Sequence, residues 1–124
     1  MPTYLQLNNV RAYKRAFTLS NYVWNIVVAW DSFARNTVGG QFIRAVDSIS
    51  ANVAEGFGRY TKKDKISFYR ISFSSVKESL DWNEKAYKRK LLTPEQYGHI
   101  LRELQELPKE IHHLIRFTND RLEK

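Results

Sequence analysis

Val38-Gly39-Gly40-Gln41-Phe42-Ile43-Arg44-Ala45-Val46-Asp47-Ser48-Ile49-Ser50-Ala51-Asn52-Val53-Ala54-Glu55-Gly56-Phe57 is the stretch on which the fold turns. Phe42, Ala45, Val46, Ile49 and Val53 recur at spacings of three and four, the period of one helix face and not the alternation of a strand. Beside that stripe runs a polar row, Arg44, Ser48, Asn52, Glu55 and Arg59, whose spacings of four, four, three and four put all five residues on one face. Asn36-Thr37-Val38-Gly39-Gly40 breaks the pattern on the upstream side and can cap this segment. Gly56-Phe57-Gly58 provides a stop downstream. A helix over about 38–57 is predicted.

Upstream, residues 9–33 carry two adjacent apolar stripes. One is Val10, Tyr13, Phe17, Trp24 and Val27; the other is Ala12, Ala16, Leu19, Val23, Ile26 and Trp30. A helix apolar over so much of its circumference is either central in its bundle or shares one stripe with another copy; the second reading is preferred. Downstream, Thr61 and Asp64 have capping-box spacing, with Asp in place of Glu, and open a third helix. Its expected inner stripe is Phe68, Ile71, Ser72, Ser75, Ser79, Trp82 and Ala86. Thr93-Pro94-Glu95-Gln96 is the clearest start signal in the chain: an N-cap Thr, Pro at the first helical position and Gln at the reciprocal capping position. The fourth helix carries Tyr97, Ile100, Leu101, Leu104, Leu107, Ile111, Leu114, Ile115, Thr118 and Leu122, and Pro108 should kink it or remove a bond near Leu104. Strand signals are weak throughout. The expected fold is all-α, a single domain over 1–124 forming an antiparallel up-down-up-down four-helix bundle.

Composition agrees with a globular core. The chain has 124 residues, 43% of them apolar and 27% charged, which excludes disorder, collagen-like repeats and low complexity. It has no cysteine, so disulfide scaffolds, thiol catalysis and Cys-based zinc sites are excluded. Its longest apolar run, 26–30, is far below the roughly 20 residues that cross a bilayer. Met1-Pro2-Thr3-Tyr4 shows no basic start followed by an apolar run, so no secretory signal is expected and a cytoplasmic location is.

The net charge is +7, and the excess is local. Residues 61–92 hold nine basic and four acidic side chains. Two clusters stand out, Arg59, Lys62, Lys63 and Lys65 at the front and Lys85, Lys88, Arg89 and Lys90 at the back. Such an excess points to a polyanion, most often nucleic acid. In the Gly56–Lys63 connection, free backbone N–H groups, glycines and cations suit a phosphate, and Tyr60 offers a stacking surface for an unpaired base. The alternative is a solvated loop with incidental lysines. The last third, with Glu103, Glu106 and Glu110 among Arg102 and Lys109, reads as an ordinary solvated helix face.

Catalytic signals are poor. Two arginines beside Glu55 would lower its pKa, which suits an ion pair better than proton transfer. The polar row is therefore expected to be a buried or interfacial network that fixes register or subunit pairing, joined by Glu78. An enzyme built on Arg44, Glu55 and Glu78 would need a pocket admitting substrate to Glu55. His112 and His113 project about 100° apart and His99 stands alone, so no metal is expected, and no cofactor. Ser72, Ser75 and Ser79 let a neighbouring helix approach closely and are not read as nucleophiles.

The Arg44-Ala45-x-x-Ser48-Ile49-x-x-Asn52-x-Ala54-Glu55-Gly56 pattern resembles the signature of the four-helix-bundle family of proteins encoded in intervening sequences of bacterial 23S ribosomal RNA genes, the S23 ribosomal protein-like family. The Phe68, Ile71-Ser72, Ser75, Glu78 spacing, the aromatic-rich first helix and the chain length match as well; Asp47 departs from it, where the family often has a small apolar residue. The resemblance, which extends more distantly to the accessory protein of diversity-generating retroelements, implies a basic ring, commonly a homopentamer, that binds nucleic acid. A non-enzymatic RNA-binding homo-oligomer is the leading expectation. Its alternative is a protein-interaction adaptor that docks a nucleic-acid enzyme such as a reverse transcriptase.

Overall fold

Start and stop signals set the elements. In the computed structural model, which describes residues 6–122, a short 3-10 turn (Leu7–Asn9) leads into α1 (Arg11–Val27), followed by α2 (Gly40–Phe57), α3 (Lys62–Lys88) and α4 (Pro94–Arg121). The Met1-Pro2-Thr3-Tyr4 start lies outside the described residues. No strand occurs among the described residues, and none of their helices is long and apolar enough to cross a membrane. The Thr93 hydroxyl accepts the Gln96 N–H at 3.1 Å while the Gln96 side chain accepts the Thr93 N–H at 2.9 Å, so both halves of the capping box form as expected. At α3, Thr61 Oγ1 accepts the Asp64 N–H at 3.1 Å.

The first two helices divide differently from the sequence expectation. α1 ends at Val27, not near Phe33, because Asp31 starts a new helical turn at Ser32–Ala34 by accepting the Ala34 N–H at 3.0 Å. The expected break at 36–40 is instead a π-helical segment, Arg35–Gly39, that runs straight into α2. Its glycine serves contact and not turning. A Cβ on Gly39 would lie 2.6 Å from Val27 Cγ1, and no glycine of the described chain has positive φ.

α2 packs on α1 and α3, and α4 packs on α3 and α1, around one apolar core. α1 contributes Ala12, Ala16, Leu19, Val23 and Val27; α2 contributes Phe42, Val46, Ile49 and Val53; α4 contributes Ile100, Leu104, Leu107 and Ile111. α4 continues through Pro108. The core thus takes Ala12, Ala16, Leu19 and Val23 from the second stripe and Val10 and Val27 from the first, while Phe17 and Trp24 of the first are 51% and 53% exposed. α3 is rotated relative to expectation. Its buried face is Tyr69, Ser72, Ser75, Val76, Ser79, Asn83 and Ala86, with Phe68 and Trp82 half-buried and Ile71 exposed.

The small face of α3 lets α2 come close. Ser72 Oγ donates to the Ile49 carbonyl at 2.8 Å, and the Ser48 and Ser75 hydroxyls share a hydrogen bond of 2.8 Å. Further along, Gly56 lies against Tyr69, where an added Cβ would sit 2.7 Å from the ring and 2.9 Å from the Lys65 carbonyl. Burial in this seam pushes the Tyr69 phenol up to about 12. Gly56→Ala is expected to destabilise the protein by about 2 kcal/mol despite the better helix propensity of Ala, measured by urea unfolding.

α3 ends in a Schellman motif: the Leu91 N–H bonds the Ala86 carbonyl at 2.9 Å and the Lys90 N–H bonds the Tyr87 carbonyl at 3.0 Å. The left-handed position that glycine usually takes is held by Lys90, at φ 63°. Lys90→Gly is therefore expected to stabilise the fold by about 1 kcal/mol in the same measurement.

Candidate nucleic-acid interface

The α2–α3 connection delivers the front cluster, and its members have different duties. Lys65 is half-buried; its ammonium donates to the Phe57 carbonyl at 2.7 Å, closing the C-terminal end of α2, and burial lowers its pKa. Arg59 is held by Glu55 at 3.0 Å and lies over the Phe68 ring at 4.6 Å. Tyr60 is 92% exposed, the most exposed large hydrophobic side chain among the described residues. Lys62 and Lys63 form no ion pair among the described residues. With Ile66, Ser67, Arg70 and Asn119 they line an open hollow of about 560 Å³ between α3 and the end of α4. Arg70 was missed in the sequence, although Lys63, Ser67 and Arg70, spaced by four and three, share one face of α3.

The back cluster does not gather in one place. Lys85 pairs with Asp81 at 2.6 Å and covers the Trp82 ring at 4.6 Å. Lys88 and Lys90 flank a hollow with Glu84, Tyr87, Leu92 and Tyr97. There Tyr87 and Tyr97 stack with ring centres 4.2 Å apart, and the Tyr97 hydroxyl donates to Glu84, which raises its pKa. Arg89 faces away from both, into a hollow beside the π-helical segment.

The polar row is on the surface of the single chain. Arg44 and Glu55 are exposed, and Ser48 and Asn52 are half-buried. Asn52 Nδ2 donates to the Ser48 carbonyl and hydroxyl, both at 2.8 Å, and Ser48 continues to Ser75. Glu78 does not join the row; it accepts the Trp82 indole N–H at 3.4 Å. Only Arg59 pairs with Glu55, so the expected flanking by two arginines is not formed.

The last third is more than a solvated face. Glu110 is buried, 8% exposed, and accepts from Arg11 at 2.8 Å; Glu103 accepts from Arg15 at 2.9 Å, and this bond raises the Arg15 pKa. These two pairs tie α1 to α4. Sequence reasoning missed them, though the acidic balance of α4 opposite Arg11, Lys14 and Arg15 was a usable signal. His99 packs on Tyr22, with ring centres 4.4 Å apart, and His113 Nδ1 lies 3.8 Å from Glu110. Among the described residues no three His, Asp or Glu side chains gather as metal ligands.

In a comparison with solved structures the chain resembles the 1.70 Å crystal structure of a protein with unknown function from the S23 ribosomal protein family of Bacteroides thetaiotaomicron VPI-5482. The TM-score is 0.74 and the identity 22%, over 84% of this chain and 97% of that one. At that identity the likeness is one of fold. No curated protein matches the chain in sequence. The profile described as 23S rRNA-intervening sequence protein matches residues 8–113, a span that takes in α1, α2, α3, the polar row and most of α4. The chain belongs to the 23S rRNA-intervening sequence protein family.

Proposed function

We propose that this protein is a non-enzymatic, cytoplasmic RNA-binding protein that works as a homopentameric ring of antiparallel up-down-up-down four-helix bundles. The observation that carries the reading is the front hollow, where Lys62, Lys63 and Arg70 stand together, with the exposed Tyr60 two residues before Lys62 in the chain. Phosphates suit the cations and an unpaired base suits the phenol. Arg59 and Lys65 supply further positive charge at this end, and Lys85, Lys88, Arg89 and Lys90 do so at the other. α3 has 27 residues, so the two groups stand about 40 Å apart at about 1.5 Å per residue. Repetition around a ring would turn each modest patch into a multivalent one.

The antiparallel order is supported by the pairings between helices, in which numbers rise on one partner as they fall on the other: Arg11 with Glu110, then Arg15 with Glu103. Self-association is supported by the exposed Phe17 and Trp24, which one chain leaves uncovered. Arg44, Ser48, Asn52 and Glu55 serve in this reading as a polar seam between copies.

Lys62→Glu/Lys63→Glu/Arg70→Glu is expected to weaken binding to a structured RNA by at least roughly tenfold and to flatten the dependence of log affinity on log salt by about two to three. The melting temperature should be kept, since Lys65, which closes α2, is left in place. Unchanged affinity would overturn the RNA reading in favour of a docking surface for a nucleic-acid enzyme such as a reverse transcriptase. Phe17→Glu/Trp24→Glu is expected to reduce the mass measured by light scattering to that of one chain; an unchanged mass would overturn the ring.

A further inference from the structure

The hollow beside the π-helical segment measures about 470 Å³ and is lined in part by Phe33, Asn36, Gln41, Trp82 and Arg89. Phe33 is the most exposed hydrophobic side chain of the described chain after Tyr60, at 79%. It stands on the single turn Ser32–Ala34 that Asp31 caps, immediately before the π-helical widening. The Thr37 hydroxyl is occupied, donating to the Phe33 carbonyl at 2.6 Å, whereas the Gln41 side chain makes no hydrogen bond among the described residues. Asn36 has only a 3.4 Å contact to Ser32. One wall of the hollow is fixed, because Trp82 is held by Glu78 at its N–H and by the Lys85 ammonium over its ring.

A bare aromatic ring, two side-chain amides and a guanidinium in one hollow make up a set of groups that reads a nucleobase. The ring stacks on a base face, the amides pair with its hydrogen-bonding edge, and the cation takes the adjoining phosphate. Inside a duplex the base faces are stacked and the Watson–Crick edges are paired. An acidic protein segment would use the cation and leave the ring and amides without work.

We infer that the hollow between the π-helical segment and α3 binds one unpaired base of a single-stranded RNA, with Phe33 as the stacking platform, Asn36 and Gln41 as edge contacts and Arg89 on the phosphate. This rests on the RNA-binding function proposed above and narrows it, at a place separate from the front hollow, to RNA with an unpaired segment.

The test compares wild type with Phe33→Ala/Arg89→Ala by fluorescence anisotropy, using three probes: an unstructured 12-nucleotide RNA, a blunt RNA duplex of the same length, and poly-L-glutamate. The expected result is a loss of roughly tenfold or more on the single strand, the range of one stacked base plus one phosphate, with duplex affinity changed less than about twofold. Gln41→Ala alone should reduce single-strand affinity and leave the duplex untouched. Light-scattering mass and melting temperature should equal wild type, since both altered side chains are exposed. An equal loss on strand and duplex, an equal loss on poly-L-glutamate, an undiminished single-strand affinity, or a fall in mass would each overturn the base site while leaving RNA binding at the front hollow standing. A wild-type protein that binds neither RNA would overturn both.

Discussion

The distance between α2 and α3 governs the rest of the molecule. Gly56 has no room for a methyl group, and Ser72, Ser75 and Ser79 give α3 a buried face of small side chains. Hydroxyls on such a face need partners, and two of them are met across the seam, Ser72 at the Ile49 carbonyl and Ser75 at Ser48. Ser79 donates within its own helix, to the Ser75 carbonyl at 2.7 Å. The seam therefore fixes register as well as spacing, because a slide of either helix would strand the buried Ser72 hydroxyl and break the Ser48–Ser75 bond. Everything carried at its two ends, the α2–α3 connection and the Schellman turn after α3, is held at a set height by it.

Local chemistry was easy to read where a few neighbouring residues decide the outcome. The capping box at Thr93, the cap at Thr61 and the core stripe of α2 all stand as the sequence implied. Signals that depend on a distant partner were not legible. Gly39-Gly40 looked like a break because glycine pairs usually mark turns, yet Gly39 is small to admit Val27 of another helix. On α3 the serines and Ala86 stand on the inner face as expected, but Phe68, Ile71 and Trp82 were set too far inside and Tyr69, Val76 and Asn83 take the buried places.

The same limit applies to the charges. The front and back clusters were visible as runs of lysine and arginine, but not which members are free. Lys65 and Lys85 turn out to be held by a carbonyl and a carboxylate, while Arg70, a full two turns from Lys63, completes the front hollow. Nor could spacing alone say that the polar row stays on the surface of one chain and that Glu78 is drawn to Trp82. The resemblance to the family was legible in a pattern that includes members of that same row, in which Asn52 bonds Ser48 and Ser48 bonds Ser75.

Glu110 gives α4 a property that its leucines do not. Apolar ridges can seat at several heights along a neighbour at similar free energy, but the height at which Arg11 meets the sunken Glu110 at 2.8 Å is also the one at which Arg15 meets Glu103 at 2.9 Å. Charge thus sets the register of α4 on α1 alongside apolar packing, and a slipped α4 would leave a buried carboxylate without its partner.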